Sequence, residues 1–135
     1  MNICNAKGGA EKVLLVEVDD VVRQITAEGL KRHGYDVFAA GDVHTALQIC
    51  REHSSQIHLL LTDMIMSGMN GVQLAQAIKT IRSEIRVLFM SGYADEALND
   101  CGFSDGSLNL IHKPFTFEQL HEKIREILDG SREAR

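Results

Sequence analysis

Ile57-His58-Leu59-Leu60-Leu61-Thr62 leads into Asp63, and Met64-Ile65-Met66-Ser67-Gly68-Met69-Asn70-Gly71 follows. The first six residues form a short apolar run and read as a strand buried on both faces. The glycine-bearing stretch after Asp63 reads as a loop. A carboxylate at that junction is held by a stiff strand yet open to water. Two readings are open at this point: a reactive group, or an aspartate that caps the next helix.

Working outward, the same pattern recurs. Val13-Leu14-Leu15-Val16, Val37-Phe38-Ala39-Ala40, Val87-Leu88-Phe89-Met90 and the shorter Leu108 to His112 also read as strands. Amphipathic stretches lie between them. Asp20 to Arg32 suits a helix with Val21, Ile25 and Leu30 on one side, ended by Gly34. Gly41-Asp42 opens a second, with Val43, Ala46, Leu47 and Cys50 as its buried stripe. Gly68 and Gly71 bracket a turn before a third, marked by Leu74, Ala75, Ile78 and Ile81. Ala94 to Asp100 suits a short helix, followed by loop to Gly106. The last helix carries Phe117, Leu120, Ile124, Ile127 and Leu128 on one face. Thr116 and Gln119 have the spacing of a capping box at its start, and Gly130 is expected to end it.

The order is βα repeated five times. It implies an α/β fold: a doubly wound, five-stranded parallel sheet with helices on both faces. Residues 1–11 read as a flexible lead, 12–129 as the domain and 130–135 as a polar tail. At 135 residues one domain is expected. Net charge is −5, which disfavours direct nucleic-acid binding as the main role. No apolar stretch reaches membrane-spanning length, and the first twelve residues lack a signal peptide's apolar centre, so a cytoplasmic location is expected. Cys4, Cys50 and Cys101 are odd in number and far apart, which suits free thiols. The six histidines include no helical pair at metal-binding spacing and read as structural or solvated.

In a parallel sheet the strand ends share one edge. Glu17, with Asp19 and Asp20 close behind, ends the first strand; Asp63 ends the third; Ser91 ends the fourth; Lys113, followed by Pro114, ends the fifth. Clustered carboxylates bind a hard dication such as Mg²⁺ through oxygen. A lysine and a hydroxyl neutralise and hydrogen-bond phosphoryl oxygens. A carboxylate among them can attack phosphorus to give an aspartyl phosphate.

Four segments, in order, resemble the receiver domains of bacterial two-component response regulators. They are Val13-Leu14-Leu15-Val16-Glu17 with its trailing acids, Leu60 to Met66 with Gly68-Met69-Asn70-Gly71, Phe89-Met90-Ser91-Gly92-Tyr93, and His112-Lys113-Pro114-Phe115. The third is especially similar to receivers attached to hybrid histidine kinases. The resemblance spans about Lys12 to Leu128 and implies the flavodoxin-like strand order 2-1-3-4-5. It implies Asp63 as phosphoacceptor from a sensor histidine kinase or phosphotransfer protein, and Ser91 and Lys113 as switch and phosphoryl-binding groups. It implies Glu17, Asp63 and the backbone carbonyl of Ile65 around Mg²⁺, and a cis Lys113–Pro114 bond. Output would pass through the surface of the fourth helix, fifth strand and last helix, by binding a partner or by homodimerisation. Such a module assists its own phosphorylation without being an enzyme in the ordinary sense. It would stand alone or belong to a larger hybrid kinase, with no membrane insertion of its own.

The sequence departs from that family in three places. The second of two adjacent acids, which binds the metal directly, is here Val18, so weaker Mg²⁺ binding is expected. Asp19 is an alternative ligand or the N-cap of the first helix, and both readings stay open. Leu110 stands where the family usually carries an aromatic switch residue. Ser67 stands where a proline commonly follows Met66. These departures keep a second reading in play: a pseudo-receiver acting as a constitutive docking module. A phosphatase or flavin protein of the same architecture is a weaker third, because no Gly-rich phosphate loop follows the first strand.

Overall fold

The computed structural model describes residues 11–53, 56–64, 70–91, 109–113 and 115–133, with side chains to 129. The strands are β1 (Lys12–Val16), β2 (Asp36–Ala40), β3 (Leu59–Asp63), β4 (Arg86–Ser91) and β5 (Leu110–His112). The helices are α1 (Asp20–Arg32), α2 (Val43–His53), α3 (Gly71–Ile81) and α4 (Phe117–Glu133). All pairings are parallel, in the order β2-β1-β3-β4-β5, as expected. The expected helix at Ala94 to Asp100 lies outside the described residues.

Two apolar layers cover the sheet. Successive side chains of a strand point to opposite faces. Leu14, Val16 and Leu60 therefore meet Ala46 and Cys50 of α2 and Leu74, Ala75 and Ile78 of α3. Val13, Leu15, Leu59 and Leu61 meet Ala27 and Leu30 of α1 and Leu120, Ile124 and Ile127 of α4. Every residue of β3 is buried, which is why its sequence shows no alternation. Each fully buried leucine contributes about 1.5–3 kcal/mol, so the strand that carries Asp63 is anchored along its whole length.

Two expectations, on the inner face of α1 and the end of α4, need correction. Val21 and Ile25 do not face the core with Leu30; they are 64% and 53% exposed. The inner face of α1 is instead Thr26, Ala27, Gly29 and Leu30. Small residues are needed there because a Cβ on Gly29 would fall 2.0 Å from the ring of Phe117. Gly71, expected to bound a turn with Gly68, is the first residue of α3, which Asn70 and Gln73 start with a reciprocal capping box; Gly68 lies outside the described residues. Gly130 does not end the last helix, which runs on to Glu133; glycine costs a helix about 1 kcal/mol against alanine but leaves its backbone bonds intact. The Thr116–Gln119 box at the start of α4 is present in both directions. Gly34, at φ 94°, follows α1 in the left-handed conformation that glycine adopts without strain.

Candidate functional site

The register sets the site. Val16 pairs with Thr62, and Asp63 pairs with Met90. The next residue of β1, Glu17, and the next of β4, Ser91, therefore flank Asp63 at the carboxyl edge of the sheet. Ser91 pairs with His112, and its carbonyl accepts the backbone N–H of Lys113 at 2.8 Å. That bond fixes the root of the lysine beside the two acids.

Lys113 Nζ lies 2.7 Å from Glu17 Oε1 and 2.8 Å from Asp63 Oδ1. Glu17, Asp63 and Ser91 are all buried, at 2%, 7% and 4% exposure. One ammonium thus serves two nearly dry carboxylates. Burial raises the Asp63 pKa, the neighbouring Glu17 raises it further, and Lys113 offsets part of this, leaving it at about 6. Asp63 is therefore mostly ionised at neutral pH but poorly solvated, a suitable state for a nucleophile. Burial works to lower the Lys113 pKa, but its bonds to Asp63 and Glu17 more than offset that, and the net direction is up.

Val18 contributes through its backbone. Its N–H points to Asp63 Oδ2 at 3.4 Å, and its side chain is 49% exposed. Asp19 caps α1: Oδ1 accepts the N–H groups of Val21 and Val22 at 2.9 and 3.0 Å. Its own N–H donates to Glu17 Oε2 at 3.1 Å, so the cap also orients the glutamate. Ile65 and Pro114, expected as a metal ligand and a cis-proline, lie outside the described residues, as do Ser67 and the Tyr93 to Ser107 segment. Leu110 is half-buried and packs against the α2–α3 layer.

Arg23 escaped the sequence reading, and Gly71 does more than bound a turn. Arg23 Nη1 donates to the carbonyl of Glu17 at 2.8 Å while Nη2 pairs with Asp20 at 2.5 Å. It ties α1 to the end of β1. Gly71 donates its N–H to the Met64 carbonyl at 2.6 Å, and a Cβ there would fall 2.1 Å from the carbonyl oxygen of Asp63. A glycine placed directly after an asparagine cap, where most residues are tolerated, was the signal available for it.

The donor chemistry suits a hard dication. Glu17 and Asp63 offer carboxylate oxygens on one edge, and Mg²⁺ is commonly held by one or two carboxylates with water and phosphate completing the shell. Val18 adds no side-chain oxygen. Among the described residues no group of three or more His, Cys, Asp or Glu is placed to hold a metal.

Comparison with known proteins agrees with this geometry. The sequence pattern of the response regulator receiver domain matches residues 13–125, and the chain belongs to that family. It is 31% identical over 121 residues to sensor kinase CckA of Brucella abortus, covering 90% of this chain and 13% of that protein. It is 29% identical over 118 residues to the response regulator receiver protein CpdR of the same organism, covering 87% and 97% of the two chains. The crystal structure of the CckA receiver domain superposes with a TM-score of 0.72 at 30% identity, over 85% of this chain and 96% of that one. No helix among the described residues is long and apolar enough to cross a membrane.

Proposed function

We propose that the chain accepts a phosphoryl group on Asp63 from a histidine kinase or phosphotransfer protein. The observation that carries this is the lysine shared between Asp63 and Glu17 at the sheet edge. An Asp63 oxygen attacks phosphorus; the P–O bond forms as the P–N bond to the donor imidazole breaks. The imidazole leaves with the electron pair of that bond. Lys113 holds the phosphoryl oxygens, and the Ser91 hydroxyl moves toward them. Glu17, Asp63 and the Ile65 carbonyl would hold Mg²⁺, which when bound offsets phosphoryl charge. Phosphorylation then shifts a pre-existing equilibrium of the partner-binding surface.

A protein donor must cover the mouth of this site. Val18, Val21 and Ile25 are the exposed large apolar side chains nearby, and Val22, Ile25, Thr26, Phe115, Phe117 and Lys113 line a hollow of about 440 Å³ beside it. The donor surface would therefore be apolar around its histidine. A cytoplasmic location follows from that partnership.

Val18 supports a second reading, a docking module that is not phosphorylated. Incubation with acetyl phosphate and Mg²⁺ separates the two. A mass gain of one phosphoryl group, absent in Asp63→Asn, supports the switch; no gain at any Mg²⁺ concentration supports the docking module.

A further inference from the structure

At the end of α1 opposite to the one beside Glu17, two histidines stack, one just past α1 and one in α4. The rings of His33, just past α1, and His121, in α4, have centroids 4.6 Å apart and planes 25° from parallel. Each ring is committed by its Nδ1. His33 Nδ1 lies 3.0 Å from the Gly29 carbonyl, which can only accept, so that nitrogen carries the hydrogen. His121 Nδ1 lies 3.1 Å from the Tyr35 hydroxyl. Arg125 Nη1 donates to the same hydroxyl oxygen at 3.3 Å. The tyrosine oxygen accepts from the arginine and keeps both a second lone pair and its own hydrogen for His121, so the histidine's tautomer sets the direction of that bond.

Arg125 cannot turn away from this chain of bonds. Its guanidinium is held by Glu11 at 3.0 and 3.1 Å and by Asp129 at 3.1 and 2.7 Å. The groups facing His121 are then His33 from the end of α1, Tyr35 from the turn before β2, Glu11 from the segment before β1, and Glu122 and Arg125 from α4.

We propose that the His33–His121 stack is a proton-sensitive latch joining the carboxyl end of α1 to α4. A proton on His121 sets an imidazolium against the His33 ring and near the Arg125 guanidinium. Glu11 and Asp129 are both already bonded to Arg125. Burial, then His33 and Arg125, lower the His121 pKa, with Glu122 and Glu11 opposing. A histidine whose folded pKa is depressed contributes stability above its unfolded value near 6.5 that is lost as pH falls below it. Acidification therefore loosens α4 from α1. Because α4 begins four residues after Lys113 and Phe117 packs on Gly29, the loosening reaches the segment that carries the lysine.

The test is amide exchange of the whole chain at pH 7.5 and pH 5.0, corrected for intrinsic rates, in an Asp63→Asn background that removes the titration of the site carboxylate. Protection in residues 117–129 should fall severalfold at the lower pH, and the fall should vanish in His121→Phe, which keeps a ring in the stack. The His121 ring resonance should titrate below 6.5 and move up in His33→Phe. Equal loss of protection in His121→Phe, or a ring titration unmoved by His33→Phe, overturns the latch. Should both histidine variants fold poorly, the ring titration of the parent decides: an ordinary value overturns the latch, a depressed one supports it.

Discussion

A side chain on Gly71 would begin 2.1 Å from the carbonyl oxygen of Asp63. The first residue of α3 thus lies directly against the backbone that presents the phosphoacceptor. Helix and strand end could not approach so closely with any other residue there.

Gly71→Ala should be destabilised by about 1–3 kcal/mol, as expected for overpacking against backbone that has no rotamer to change. The midpoint of urea unfolding reads this. A variant as stable as the parent would show that the β3–α3 junction yields freely. Phosphoryl uptake should fall in the same variant, because relief requires moving the Asp63 main chain.

Asp63 carries a sign-definite pH signature. Its folded pKa is about 6 against an ordinary 3.8. Between those values the folded chain binds a proton that the unfolded chain does not. Stability therefore rises as pH falls from about 6 to 4 and is lost as pH rises through the window. With chelator present, Asp63→Asn should be more stable than the parent at pH 7.5 by ~1–3 kcal/mol, and the difference should shrink toward pH 4. A constant difference across that range would contradict the burial argument.

Lys113→Met leaves the Glu17 and Asp63 carboxylates facing one another without their shared cation. The variant should lose ~1–2 kcal/mol at pH 7.5, discounted because the lysine is partly solvated, and recover most of it at pH 5 as Asp63 takes a proton. Uptake from acetyl phosphate should slow at least tenfold, since the group that meets the phosphoryl oxygens is gone. Phosphorylation at the parent rate would remove Lys113 from the reaction.

Val18→Asp restores a carboxylate beside Glu17. Mg²⁺ affinity, read by calorimetric titration, should tighten by about tenfold, because ligand charge count sets affinity for hard dications. An unchanged affinity would mean that position 18 has no part in holding the ion.

Ile25→Glu should separate two donors. Its side chain is 53% exposed, so the fold should tolerate the change. Transfer from a phosphorylated histidine protein should slow several-fold, while uptake from acetyl phosphate, which needs no apolar contact, should not change. Equal slowing with both donors would place the residue in the site rather than at its rim.

The sheet was legible because β1, β3 and β4 are continuous apolar runs, and the parallel order follows from the helices between them. Glu17, Asp63 and Lys113 could be brought together on topology alone, since each ends or follows a strand. What was not legible depends on close approach. Val21 and Ile25 look like a core stripe by spacing, yet the core face is decided by Ala27 and Gly29, whose small size admits Phe117. The Tyr35–His121 contact joins residues 86 apart in sequence, and the roles of Arg23 and Gly71 depend on how the chain turns between strand end and helix. Gly130 misled for the opposite reason: a helix stop signal lowers propensity without forbidding continuation.

The supports on the two sides of Asp63 are unequal. Toward β2, the end of β1 is braced twice: Glu17 N–H bonds Ala40 at 3.1 Å, and Arg23 grips the Glu17 carbonyl at 2.8 Å. Toward the other edge, β5 is a three-residue strand, and Lys113 is joined to β4 through its backbone bond to Ser91. Among the described residues, the end of β1 is thus fixed to its outer neighbour and to its own helix at once, so Glu17 reaches Asp63 from a backbone held at two points.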